Sequence, residues 1–209
     1  MLPEAWKVDG MSRRAEWIES AARLKTLGLG LACLALAGCG GGGTPQTFDL
    51  TAPISLAARA ARGQMVVAEP VATAPADSDR IVVRTAPEAV AYLTGAQWAD
   101  RLPRVIQTKL IETFENAHLL KSVGRPGLSA DYSLATEIRR FEIDVTTGMA
   151  IAEFSVKLVG DRSGRIVAAR IFTASSPSPT SGPPAMTAAL NQALGMVLRQ
   201  IVAWASGQV

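Results

Sequence analysis

From Ala152 to Leu158 apolar and polar residues alternate strictly, with Ala152, Phe154, Val156 and Leu158 on one parity and Glu153, Ser155 and Lys157 on the other. Successive side chains of a strand point to opposite faces, so this pattern predicts a strand with one face on a core and one facing water. Asp161-Arg162-Ser163-Gly164 follows as a tight connection, and Ile166 to Thr173 returns as the partner strand. A long β-hairpin, and with it a sheet covered on one side, is the strongest constraint in the chain.

Upstream, Asp131 to Val145 also alternates, but with a defect. Tyr132, Leu134 and Ile138 share one parity, Phe141, Ile143 and Val145 the other, and the switch falls at Arg139-Arg140. One extra residue there keeps both sets on the same face, which predicts a β-bulge beside these arginines. Short apolar runs at Phe48 to Leu50, Met65 to Ala68 and Ile81 to Val83 read as further strands.

Two segments change period. Trp98, Leu102, Val105, Ile106, Leu110, Phe114 and Ala117 recur at steps of three and four, which predicts a long amphipathic helix. Asp100 is its candidate N-cap, and Pro103 falls in the first turn, where a missing N–H costs little. Ala185 to Ala205 is the second helix, with Leu190, Leu194, Val197, Ile201 and Trp204 on one face and Arg199 as its only charge. So apolar a helix is either deeply buried or packed against another subunit. Ser175 to Pro184, with four prolines, reads as a mobile loop. The expected architecture is α/β, a mixed sheet with a long β-hairpin packed by two long helices in a single domain.

The N-terminal region has a different character. Arg23 and Lys25 precede an uncharged run of Leu, Gly and Ala that ends in Leu36-Ala37-Gly38-Cys39. The run is too short to span a bilayer as a helix, which needs roughly 20 apolar residues, and it has the layout of a secretory signal peptide. Small residues before a cysteine resemble the bacterial lipobox, which implies cleavage before Cys39 and lipid on its thiol. Met11 is a second candidate start. Residues 1–38 are thus expected to be a signal peptide, 39–46 the lipidated cysteine and a Gly-rich tether, and 47–209 the folded domain. The tether, Gly40 to Gly43 and Thr44-Pro45, has little to pack and should hold the domain close to its membrane.

After cleavage, 16 Lys and Arg face 14 Asp and Glu, a net charge near +2 that argues against a nucleic-acid partner. Cys33 leaves with the signal peptide, so no disulfide and no cysteine metal site is expected within the mature chain. Catalytic signatures are missing. His118 is the single histidine and follows the end of the first predicted helix, as a structural or solvent-exposed residue would. There is no Gly-x-Ser-x-Gly elbow and no Walker loop, and Glu137, Glu142, Asp144 and Glu153 lie on alternating strands where carboxylates normally face water. The expectation is a protein that is not an enzyme, with no cofactor and no metal.

Candidate binding residues remain. Tyr92-Leu93-Thr94-Gly95-Ala96-Gln97-Trp98 places two aromatics around a small, turn-forming stretch, and Tyr92, Leu93 and Trp98 are either interface anchors or core closure. Arg139 and Arg140 are either contacts for a lipid phosphate or an acidic partner, or plain exposed surface.

The string from Val82 to Asn116, VVRTAPEAVAYLTGAQWADRLPRVIQTKLIETFEN, resembles the ABC-type transport auxiliary lipoproteins, a family that includes the lipoprotein of the paraquat-inducible operon. Ala130 to Asp144 and the Phe154 to Phe172 hairpin match in order and spacing. The resemblance implies an α/β sandwich, lipidation at Cys39 and no catalytic residues. It also implies a partner, an MCE-domain protein, and through it an ABC permease and ATPase that move lipid between the two membranes of a Gram-negative envelope. Gly40 rather than aspartate after Cys39 points to the periplasmic face of the outer membrane. The alternatives are a lipoprotein that carries lipid in an apolar cleft walled by the two helices, a regulator of a cell-wall enzyme and an unrecognised hydrolase, while the apolar last helix suggests self-association. Cys39→Ser is expected to release the protein from the membrane fraction while leaving its circular dichroism spectrum unchanged; a membrane-bound, acylated variant would count against the lipobox.

Overall fold

The computed structural model describes residues 44–54 and 63–209. The signal peptide, Cys39 and most of the tether lie outside the described residues. Residues 44–209 form one compact unit. Its elements in chain order are β1 (Gln46–Phe48), β2 (Gln64–Val67), β3 (Val71–Ala72), β4 (Arg80–Ala86), β5 (Ala89–Trp98), α1 (Leu102–Ala117), β6 (Ser122–Gly124), β7 (Tyr132–Asp144), β8 (Met149–Gly160), β9 (Arg165–Pro177) and α2 (Pro183–Ser206).

The described strands join in one mixed, nine-stranded sheet with β7 at its centre. On one side β7 pairs antiparallel with β8 along its whole length, and β8 pairs with β9, which has no further neighbour. On the other side β7 pairs in parallel with β4 at Glu142 to Asp144, with β3 at Glu137 and Ile138, and with β2 at Tyr132 to Leu134. β5 extends the sheet beyond β4 and β1 beyond β5, while β6 lies beyond β2.

The alternation of β8 is borne out residue by residue: Ala150, Ala152, Phe154, Val156 and Leu158 are buried, and the residues between them are half-buried or exposed. Both helices pack on that buried face, and the core they close runs through Ile106, Leu110, Phe114, Leu190, Leu194, Val197 and Ile201. Each such large side chain contributes about 1.5–3 kcal/mol on burial.

The predicted bulge sits where the parity switches. Ile138 pairs with Phe154 and Arg140 with Glu153, so Arg139 is the unpaired extra residue. Ile138 and Phe141 therefore both reach the core, and Trp98, Phe141 and Phe154 stack in series with ring centroids 5.8 and 6.3 Å apart.

Several expectations need correction. Tyr92 to Trp98 is not a turn but part of the ten-residue strand β5. Its alternation is broken by a bulge against β4 between Tyr92 and Gln97, where Gly95 takes the left-handed conformation (φ 72°) that other residues avoid. Trp98 ends that strand, so α1 begins only at Leu102, and its N-cap is Arg101 with no side-chain cap; Asp100 accepts only the Arg101 N–H. Val145 lies past the end of β7 and is exposed. The proline-rich segment is partly regular: Ser175 to Pro177 complete β9, where an edge strand tolerates proline, and Pro183 and Pro184 start α2.

Deleting Arg139 removes the bulge and turns one half of β7 inside out. The deletion is expected to abolish the cooperative urea transition, whereas Arg139→Ala should shift stability by less than about 1 kcal/mol. A deletion variant that unfolds like the parent would disprove this role of the bulge.

Candidate partner surface

The sheet face opposite the helices carries no covering element among the described residues, and the candidate residues divide across the two faces. Tyr92 pairs with Val82, which pairs with Glu142, so these share a row on the open face. Tyr92 is half-buried, with the Arg80 guanidinium 3.5 Å above its ring centroid. Arg140 pairs with Glu153 one step along, and Arg139 reaches the same Glu153 at 3.3 Å. Leu93 belongs to the bulged segment of β5 and packs half-buried against the core. Trp98 does not join them. It is 2% exposed and stacks on Phe141, so its ring serves the core and offers no surface to a partner.

The open face also holds what the sequence reading placed in water. Glu142 and Asp144 are 4% and 6% exposed. Buried carboxylates persist only when paired and hydrogen-bonded, and here both conditions hold. Arg84 donates a two-pronged bond to Glu142, Nε to Oε1 at 2.8 Å and Nη2 to Oε2 at 3.0 Å. Its third contact, Nη1 to the Pro87 carbonyl at 2.8 Å, ties the β4–β5 turn to the cluster. Arg140 donates to Glu142 at 2.7 Å and to Asp144 at 3.2 Å. Asp144 also accepts from the hydroxyl and backbone N–H of Thr146 and the N–H of Thr147, closing the β7–β8 turn.

The electrostatics follow. The Thr146 hydroxyl first, then the backbone N–H groups and Arg140, hold the Asp144 carboxyl below the usual aspartate range despite its burial. The hydrogen bond that Arg84 donates to Glu142 raises the guanidinium further above its ordinary value, so it stays charged. Sequence spacing held one trace of the cluster, charges at Arg140, Glu142 and Asp144 in steps of two. Their partner Arg84 lies 58 residues from Glu142, and only the parallel pairing of β4 with β7 joins them.

Around this polar centre the open face exposes Val71, Val90, Ile166 and Ile171. Glu137 is exposed, and among the described residues no three His, Cys, Asp or Glu side chains gather as a cation site. His118 caps the end of α1 in a left-handed conformation (φ 50°) and faces solvent. Cavities are small. One of about 200 Å³ lies on the open face beside Glu137 and Lys157, and one of about 350 Å³ lies between Asp49 to Ala52 and the polar side of α1. Drug-sized ligands fill roughly 300–1,000 Å³ of mainly apolar cleft. No helix among the described residues is long and apolar enough to cross a membrane.

Comparison with known proteins agrees with this fold. Residues 48–202 match the family of the ABC-type transport auxiliary lipoprotein component. The chain belongs to that family. A crystal structure of a Xanthomonas campestris protein of the DUF330 family has 32% sequence identity and a TM-score of 0.74, over 78% of this chain and 97% of that one. A second solved structure, of an uncharacterised protein, is 15% identical with a TM-score of 0.63 and shares the fold over 78% of this chain and 99% of that one. An uncharacterised protein of Bradyrhizobium diazoefficiens is 31% identical over 173 residues, 78% of this chain but 46% of that relative. The family member therefore spans about half the length of that relative.

The Asp144 contacts make a pH prediction. A carboxyl held below its ordinary pKa contributes stability that is complete above that ordinary value and is lost as pH falls through the folded value. Asp144→Asn should thus melt lower than the parent near neutral pH, and the gap should narrow as pH falls below the ordinary aspartate value of about 3.9. A gap in Tm that is unchanged at about pH 2.5 would rule out Asp144 as a source of acid sensitivity.

Proposed function

We propose that this family member is a lipid-anchored, non-catalytic component of an ABC/MCE-type lipid transport system, and that it docks or caps the MCE-domain protein at the periplasmic face of the outer membrane. The family match carries the reading: the auxiliary lipoprotein model covers the folded domain almost from its first strand to the last turns of its last helix. The open sheet face is the docking surface. Tyr92, Arg139 and Arg140 share that face with Val71 and Ile171, a mixture of aromatic, arginine and aliphatic side chains of the kind that anchors protein partners. The ATPase and permease supply energy and passage, and this domain supplies position.

Co-purification from detergent tests the reading. The wild type should retain the MCE-domain protein, and Tyr92→Ala combined with Arg139→Glu should reduce recovery roughly ten-fold, the effect of about 1.4 kcal/mol, while the variant still melts cooperatively. Equal recovery by the double variant would remove the open face from the interface, and failure of the wild type to retain any MCE-domain protein would remove the docking role.

A further inference from the structure

The short chain between Cys39 and the first strand, together with an uneven distribution of charge over the two ends of the sheet, assigns one end of the domain to the lipid surface. This rests on the lipid anchor at Cys39.

Strand directions locate the ends. β4 and β7 are parallel and finish together, with Arg84 beside Asp144 and the Val145 N–H bonded to the Arg84 carbonyl. The β4–β5 turn at Pro87-Glu88 and the β7–β8 turn at Val145 to Gly148 therefore lie side by side. Pro177 pairs with Met149 and the Ser178 N–H bonds to the Gly148 carbonyl, which brings the segment before α2 to the same end. The opposite end holds the β8–β9 turn, where the Asp161 N–H bonds to the Asp131 carbonyl, and Lys121, whose N–H bonds to the Gly63 carbonyl beside β2.

The tether comes from the first end. β1 is parallel to β5, and β5 starts at the β4–β5 turn, so the chain preceding Gln46 approaches from that side. Thr47 is level with Gln97 and hence with Arg80, six residues before the end of β4. Gln46 thus lies about 17 Å short of the turn tips at 3.3–3.4 Å per residue. Fully extended, the chain from Cys39 to Gln46 spans at most about 25 Å. A lipidated cysteine sits at the base of a headgroup layer roughly 6 Å deep, and that depth takes up most of the difference. Upright contact of the turn tips with the headgroups needs about 23 Å of this chain, which is within its reach.

Charge distribution selects the upright pose over one lying on a face. Residues 85–90, 145–148 and 177–184 at the near end contain one ionisable side chain, Glu88, and expose Val90 and Val145. The two other charges at that end, Arg84 and Asp144, are taken up in the buried cluster. At the far end Lys121, Asp131, Asp161, Arg162 and Arg165 are all exposed. The sheet face carries Arg139, Glu137, Glu153 and Lys157, which contact with lipid would strip of water at a cost. We infer that the loops 85–90, 145–148 and 177–184 rest on the phospholipid surface, and that the β8–β9 turn is held about 35 Å further out, the length of β8.

The test uses the full lipoprotein, purified in detergent and reconstituted in vesicles of phosphatidylethanolamine and phosphatidylglycerol that contain a headgroup nitroxide lipid. Acylation occupies the Cys39 thiol, so a cysteine introduced by Glu88→Cys, Thr180→Cys or Arg162→Cys is the one site for a maleimide fluorophore. Nitroxide quenching at positions 88 and 180 should exceed that at 162 by at least roughly three-fold, because the far label lies beyond the thickness of a leaflet. Equal quenching at all three, or stronger quenching at 162, would overturn the orientation while leaving the anchor in place. Intact mass separates the two failures: a Cys39 without acyl groups would overturn the anchor, and the orientation with it.

Discussion

The unpaired Arg139 in the middle of β7 is the constraint on which the rest of the sheet depends. β7 is bonded antiparallel to β8 along its length on one side and, on the other, parallel to β2, β3 and β4 in turn. Without the extra residue its two halves would present their apolar sets to opposite faces. With it, Leu134, Ile138, Phe141 and Ile143 all reach the helices, and the phase of the charged residues beyond the bulge is set at the same time. The core and the ion cluster are therefore two faces of a single register choice.

The cluster itself joins turns rather than adding much net stability. Losing one member of a buried pair costs roughly 3–5 kcal/mol, less here because a quarter of Arg84 and a third of Arg140 remain exposed. Its second effect is geometric. Arg84 holds the Pro87 carbonyl and Asp144 holds Thr146 and Thr147, so both turns at one end of the sheet are fixed to the same set of charges.

How much of this was legible in the sequence depended on the range over which each signal acts. The β8–β9 hairpin, the bulge and both helices follow from periodicity within about fifteen residues and were readable. β5 was not, because its own bulge at Gly95 interrupts the alternation and makes Tyr92 to Trp98 look like a turn. The short parallel pairings of β2, β3 and β6 leave hardly any periodic trace, since two to four residues carry them. The burial of Glu142 and Asp144 contradicted expectation for the same reason: the arginine that makes it tolerable comes from a distant strand. Of the candidate site, Tyr92 and the two arginines, picked out separately, fall on one face of the sheet, while Trp98 was drawn into the core at the end of β5.

The pairing of six charges on the open face has a kinetic side. Arg84, Arg139 and Arg140 are matched within the face by Glu142, Asp144 and Glu153, so little field extends beyond a Debye length of about 8 Å. A partner approaching such a face gains no long-range steering, and association proceeds at the roughly 10⁵–10⁶ M⁻¹s⁻¹ of neutral surfaces, nearly indifferent to ionic strength. If the domain is held at a membrane beside its partner, as proposed above, local concentration replaces steering as the source of encounters.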